Sequence, residues 1–263
     1  MATGTDDMEP HLAEAIALIG REGFEAALWR LVTALARPDN MLVLVYRDAG
    51  PALELYQKAS DPKIFGRLQS RYLEAAFKLS PFYGLHVDRA EPGLYHLRDI
   101  APDAFQRSRF YVEYFGETTI IDELAFTQWL GEGVSLNLFL GRDGQSGRVF
   151  HQAEVQACRR MAPVIAALAR AHWPAPRGLA GPVEDTPALL ATAARRVHGI
   201  GLSPRQAEVA LLILKGHSTL SIGLHLGLSP QTVKVFRKQL YARCGISSQA
   251  ELFALMLPLL TEG

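Results

Sequence analysis

Leu202-Ser-Pro-Arg-Gln-Ala-Glu-Val209 and, twenty residues on, Ser229-Pro-Gln-Thr-Val-Lys-Val-Phe-Arg-Lys-Gln-Leu240 decide the reading of this chain. Each opens with a helix start. Serine is the cap and proline takes the first helical position, where its missing N–H costs nothing. In the first, Gln206 stands where a side chain reaches back to close a capping box. That helix is apolar nearly all round, as a core helix should be, and Gly216 ends it. Leu220 to Leu226 is long enough for two helical turns, Gly227 permits a tight turn, and Ser229 caps the next helix, which runs to about Arg243. Gly245 ends that one, and Ser248 to Leu260 makes a further helix. Two short helices joined by a glycine turn, the second capped and basic, form a helix-turn-helix.

In the basic helix, Val233, Phe236 and Leu240 fall on a core-facing stripe, and Lys234, Arg237, Lys238 and Tyr241 occupy another. Ammonium and guanidinium groups on one face of an anchored helix suit the DNA major groove, with its phosphate oxygens and guanine acceptors. Charge alone would equally fit a solvated basic helix. The cap, the turn and the local charge together favour DNA. From Arg195 onward there are eight Lys or Arg against three Glu, a net of +5. The whole chain has 27 basic and 27 acidic residues, so the rest carries −5. An acidic part with a basic tail points to a polyanion partner for the tail.

With Gly216-His-Ser218, Ile222, Leu226, Leu228-Ser229, Thr232-Val-Lys234, Leu240 and Gly245, these residues resemble the C-terminal DNA-binding domain of LuxR-type transcription regulators over roughly 199–260. The resemblance implies an all-α four-helix helix-turn-helix domain (199–263) that dimerises through its last helix on double-stranded DNA. Leu252, Leu255, Met256 and Leu259 would be the apolar anchors. It places Lys234, Val235 and Lys238 toward the bases, with Thr232 and Arg237 suited to backbone contacts. Thr219, Leu220, Ser221 and Gly223 depart from the family's usual Asn-Lys-Glu-x-Ala, and Phe236 from a common His.

Upstream, Trp173 to Pro187 holds four prolines and two glycines in fifteen residues. Such a stretch cannot continue a helix or a central strand. It reads as a linker, which with a lead-in helix from Pro187 to Val197 occupies 174–198. Before it, residues 1–173 alternate. Leu12 to Ala36 has helical spacing, broken near Gly20 or Gly23. Met41 to Tyr46 is a strand, with Ala52 to Ala59 as its hairpin partner. Ile64 to Leu79 puts Phe65, Leu68, Tyr72, Ala76 and Leu79 on one helix face. Pro81 to Pro102 reads mostly as loop, and Ala104 to Phe115 as an aromatic helix. Ile121 to Leu130 and Val134 to Leu140 are strands joined at Gly131-Glu-Gly133, and His151 to His172 is a long helix. This order predicts an α+β domain, an antiparallel sheet flanked by helices in an α/β/α sandwich.

That order resembles the autoinducer-binding domain of quorum-sensing regulators, or more broadly a GAF- or PAS-like sensor. The resemblance implies a small-molecule effector. In that family a Trp and a Tyr on one helix precede an Asp-Pro. Here Tyr72 and Phe77 precede Ser80-Pro81. A neutral hydroxyl cannot replace the charge-assisted bond of an aspartate to a ligand amide. A standard acyl-homoserine lactone is therefore not the expected ligand. Tyr56, Tyr72, Ser80, Phe82, Tyr83 and Trp129 are the candidate ligand residues, aromatic bodies with polar tips.

Other classes find less support. A phosphoryl receiver needs an acidic pair near its first strand, which Met41 to Asp48 lacks. No Walker-type glycine loop and no Gly-x-Ser-x-Gly turn is present. The eight histidines show no metal-ligand spacing, and two cysteines cannot make a disulfide framework. No cofactor, metal or catalytic residue is expected. The start lacks a signal-peptide pattern and no apolar run reaches about 18 residues, so the expectation is a cytoplasmic homodimer that does not meet a membrane. Two rivals remain: a ligand-independent regulator whose N-terminal domain contacts proteins, and an N-terminal enzyme domain.

Overall fold

The computed structural model describes residues 8–59, 61–66, 72–116, 118–174 and 184–261. The chain opens with α1 (Glu9–Ala17) and α2 (Phe24–Ala36), separated at the expected glycines. A hairpin follows, β1 (Asn40–Arg47) and β2 (Leu53–Ala59). Next come α3 (Pro81–Val87), β3 (Gly93–His96), α4 (Leu97–Ile100) and α5 (Arg109–Tyr111), which runs on as a π-turn to Gly116. Strands β4 (Asp122–Gly131) and β5 (Val134–Arg142) and the long α6 (Gln152–His172) complete this half. The five strands form one antiparallel sheet in the order β2-β1-β5-β4-β3.

Strand side chains alternate between faces, and the two faces do different things. Met41, Val43 and Val45 of β1, Leu124 and Phe126 of β4, and Leu136, Leu138 and Leu140 of β5 pack against α1, α2 and α6. The opposite face carries Leu42, Leu44, Tyr46, Ala125 and Phe139. It is covered by α3, the aromatic α5 segment and, continuously with them, the helices of the C-terminal half.

Two readings of the sequence change. Ile64 to Leu79 is not one helix among the described residues. Pro62–Phe65 and Ala76–Leu79 are separate 3-10 turns, and Leu68 lies outside the described residues. Tertiary contacts override helical spacing here. The Leu73 carbonyl accepts from Ala52 N, pulling the chain onto the hairpin, while Phe77 and Leu79 turn into the core. Nor is Pro81 to Pro102 mostly loop. The Ser80 hydroxyl accepts from Phe82 N with Pro81 at the first helical position, so it caps α3.

Most of the proline-rich stretch, 175–183, lies outside the described residues. Beyond it come α7 (Thr186–His198), α8 (Pro204–Lys215), α9 (Thr219–Leu226), α10 (Pro230–Cys244) and α11 (Gln249–Met256). The chain closes on a 3-10 turn, Leu257–Thr261. Leu190 and Ala194 of α7, Val209 and Leu214 of α8, Ile222, Val233, Leu240 and Met256 share a core. Among the described residues no single helix is long and apolar enough to cross a membrane.

Candidate functional site

Cap chemistry builds the helix-turn-helix, at Ser203 and Ser229 as the sequence predicts and at Ser218, where it does not. Ser203 and Gln206 close a reciprocal capping box on α8. Ser218 Oγ accepts from Ser221 N at the start of α9, and Ser229 Oγ from Thr232 N at the start of α10. The turn between α9 and α10 is tight because Gly223 has no side chain. A Cβ there would lie 2.7 Å from the Leu228 carbonyl oxygen.

Val233 and Leu240 anchor α10 in the core, with Phe236 half-buried. Lys234, Val235 and Lys238 lie together on its exposed face. Thr232 sits at the helix start, its hydroxyl 2.8 Å from that of Ser229. Arg237 leans the other way, reaching Thr219 Oγ1 at 3.4 Å with its guanidinium over the Tyr241 ring. The arrangement leaves two exposed lysines on one face of α10, with Thr232 at its start and Arg237 half-buried and engaged within the chain.

The last helix departs from expectation. Leu252, Met256 and Leu259 are buried within the chain and Leu255 is half-buried. These side chains complete the core against α7, α8 and the α5 segment. Ala250, Ala254 and Pro258 face outward instead. The apolar anchors expected at a dimer contact are thus spent inside one chain.

The helix-turn-helix also rests on the N-terminal half. Ala104 N donates to the Gly216 carbonyl at 3.1 Å, and Ser218 N to Asp103 Oδ1 at 2.9 Å. These bonds from Ser218 hold the Asp103 carboxyl below its usual range. Gly216 has φ +93°, and a Cβ there would meet Phe105 Cα at 2.8 Å. Glycine alone satisfies both the backbone and the space.

Behind Phe105, aromatic rings stack back toward the sheet. Phe105 meets Phe115 edge-on at 5.6 Å, and Phe115 lies flat on Tyr111 at 5.5 Å. Phe115 is in turn a wall of a cavity of about 60 Å³ on the C-terminal side of the sheet. Leu42, Ile64, Phe65, Tyr72, Tyr114, Ile120 and Phe139 complete its mostly apolar lining, with Thr118 and Glu123 as further polar groups. Burial pushes the Tyr72 hydroxyl up to about 12. It pushes the Glu123 carboxyl up to about 8, helped by the like charge of Asp122.

Of the six ligand candidates, the structure places Tyr72 in this lining. Ser80 caps α3 beside it. Phe82 packs edge-on against Phe139, and Tyr83 against Tyr46 and Phe77. Tyr56 lies on the far face of the sheet with Trp29. Trp129 stacks under Arg89 and donates to the Ala90 carbonyl. Sequence reasoning missed Glu123. Its one signal was an acidic residue at an inward position of an otherwise apolar strand.

A second polar group lies deeper. Ser135 Oγ is 2.8 Å from His86 Nδ1, and His86 Nε2 is 3.2 Å from Asp48 Oδ1. The residue types are those of a hydrolase triad, but the two ring nitrogens are exchanged: in a triad the serine meets Nε2 and the aspartate Nδ1. Here Asn137 Nδ2 also donates to Ser135 Oγ, and Ser135 and His86 are both buried. It is a buried network bridging α3 to the sheet.

Burial holds both His86 and His217 down to about 4. Each is neutral when folded, whereas an unfolded histidine protonates near 6.5. Stability is therefore fully present above about pH 6.5 and declines as pH falls toward about 4. The expected loss is about 1–3 kcal/mol after allowing for solvent screening. Urea unfolding at pH 7.5, 5.5 and 4.5 should show it, and His217→Gln should flatten part of the slope. An unchanged midpoint from 7.5 to 4.5 would contradict it.

Residues 201–256 match the family described as "Bacterial regulatory proteins, luxR family". Over 133 residues the chain is 33% identical to an Aeromonas salmonicida protein described as an HTH-type transcriptional regulator in the exeN 3' region. That match covers 48% of this chain and 67% of the other. The crystal structure of the VqsR LBD domain from Pseudomonas aeruginosa superposes with a TM-score of 0.53 at 25% identity, covering 64% of this chain and 97% of that one. The structure of SdiA in complex with octanoyl-rac-glycerol gives a TM-score of 0.40 at 11% identity over 96% of both chains, too distant to argue from.

Proposed function

Because the chain belongs to the luxR family of bacterial regulatory proteins, we propose that its N-terminal domain senses a small molecule and thereby sets how two copies grip a two-fold DNA site. The family makes it a DNA-binding transcription regulator; the sensing, the ligand class and the dimer are the proposal. The observation that carries it is the aromatic path from the cavity wall at Phe115 through Phe105 to Gly216, at the base of the helix-turn-helix. A molecule that repositions Phe115 acts on the support of α9 and α10. It can bias DNA binding only by its different affinities for competent and incompetent states, with coupling of about 1–3 kcal/mol.

The ligand proposed is not a standard acyl-homoserine lactone. Ser80 supplies no carboxylate, and it is engaged in capping α3. A cavity of about 60 Å³ holds roughly four waters, less than a long acyl chain needs. The same small volume favours the second reading, a ligand-independent domain that only contacts proteins.

Thermal unfolding of the full chain against lactones of several lengths and against short neutral amphiphiles separates these readings, followed by DNA titration with each binder. A short amphiphile should raise Tm and shift DNA affinity five- to 150-fold, while lactones leave both unchanged. Tight lactone binding would overturn the ligand class. Ligand binding with no change in DNA affinity would overturn the coupling.

A further inference from the structure

Glu123 lies on the cavity side of β4, opposite Gly141 on β5, with Ala125 and Phe139 beside it on that face. It is 9% exposed and lines the cavity. Among the described residues no Lys, Arg or His forms an ion pair with it, and there the charge acting on it is the like charge of Asp122. Asp122 itself points to the opposite face, accepting from His96 Nε2 at 2.6 Å and Phe150 N at 2.9 Å. A carboxyl so placed has one free direction, into the cavity.

We infer that Glu123 is the polar anchor of the cavity and that its protonated carboxyl donates a hydrogen bond to the carbonyl oxygen of a small uncharged ligand. The inference rests on the sensing function proposed above and assigns the group that selects the ligand. Apolar walls and a like charge next door both disfavour the carboxylate. Its carboxyl is pushed up to about 8, so the protonated form predominates at neutral pH. A protonated carboxyl offers one donor and keeps acceptor capacity. A neutral amide fills both without bringing a charge into the cavity. An anion would add negative charge beside Asp122, and a cation would require two ions to lose their water.

Among the described residues, two phenols that face Glu123 are pushed up by burial. Tyr72, with its hydroxyl pushed up to about 12, faces it from the segment before α3. Tyr46 faces it from β1, and burial raises its hydroxyl further. Tyr114 stands on the π-turn after α5.

The test uses the full chain with three probes of one chain length that suit the cavity's size, acetamide, acetate and ethylammonium. Calorimetry and thermal unfolding run from pH 6.5 to 9. Acetamide should bind at least tenfold tighter than either ion. Its affinity should hold steady at neutral pH and fall toward tenfold per pH unit well above 8, as the donor proton is lost. Glu123→Gln keeps a donor that does not titrate, so it should bind acetamide with no pH dependence. Glu123→Leu should weaken binding at least tenfold. Preferred binding of ethylammonium or acetate overturns the inference while leaving sensing intact. So does acetamide binding that ignores both pH and Glu123→Leu. Failure of all three probes on the folded wild-type chain overturns the sensing function, and this inference with it.

Discussion

Lys78→Met should lower the unfolding free energy of the full chain by about 3–5 kcal/mol. Lys78 is 4% exposed, an unusual place for a lysine. Its ammonium sits 2.7 Å from Glu184 Oε1 and donates to the Leu260 carbonyl at 2.9 Å. Lys78 and its two partners come from three parts of the chain: the turn before α3, the segment leading into α7, and the closing turn after α11. Glu184 N in turn donates to the Asp48 carbonyl. Removing the lysine strands a buried carboxylate and a buried carbonyl together, which costs more than the pair contributes when intact. The double variant Lys78→Met, Glu184→Leu should therefore recover most of the loss. Urea unfolding followed by circular dichroism reads all three proteins. A loss under 1 kcal/mol for the single variant, or no recovery in the double, would mean the ion pair does not clasp the two halves.

The second large effect is on DNA. Lys234→Ala with Lys238→Ala should cost about 2–6 kcal/mol of affinity for the cognate site, at about 1–3 kcal/mol for each lysine that meets a guanine edge. Both side chains are exposed, so the folded state should shift by no more than about 0.5 kcal/mol. The salt dependence sorts the mechanism. A lysine that meets only phosphate, when removed, weakens binding equally on all sequences and reduces the salt slope by about one charge. A lysine that meets a base weakens cognate DNA more than random DNA. Anisotropy titrations on both DNAs at several salt concentrations separate the cases. Unchanged affinity on both would move the DNA surface away from α10.

The parts of this molecule legible in the sequence are those fixed by local chemistry. Ser203-Pro204 and Ser229-Pro230 cap their helices by local chemistry, and so the helix-turn-helix could be read directly. The strands Met41 to Tyr46 and Val134 to Leu140 announced themselves by apolar runs between turns. What depended on distant partners was not legible. Ser80-Pro81 has the same cap chemistry as Ser229-Pro230, yet it was read for its place in a ligand motif instead of as a helix start. In the described part of 64–79, Leu73 and Lys78 follow contacts to Ala52, Glu184 and Leu260 over the segment's helical spacing. Tyr56 and Trp129 are aromatic, but aromatic character does not tell which face of the sheet a side chain meets; Tyr56 went to the far face and Trp129 to Arg89 and His86. Glu123 became visible only once the register of β4 turned it into the cavity. The buried anchors of α11 show the same limit, because an apolar helix face does not say whether it meets its own chain or another copy.

The most direct test of the account is selection of duplexes from a random-sequence pool by the full chain, with the Lys234→Ala, Lys238→Ala variant run in parallel. The account predicts that the wild-type chain enriches a two-fold-symmetric sequence with half-sites about one helical turn, roughly 10 bp, apart, and that the variant loses that enrichment while remaining folded. A wild-type chain that enriches no sequence, or a variant that enriches the same sequence equally well, would contradict it.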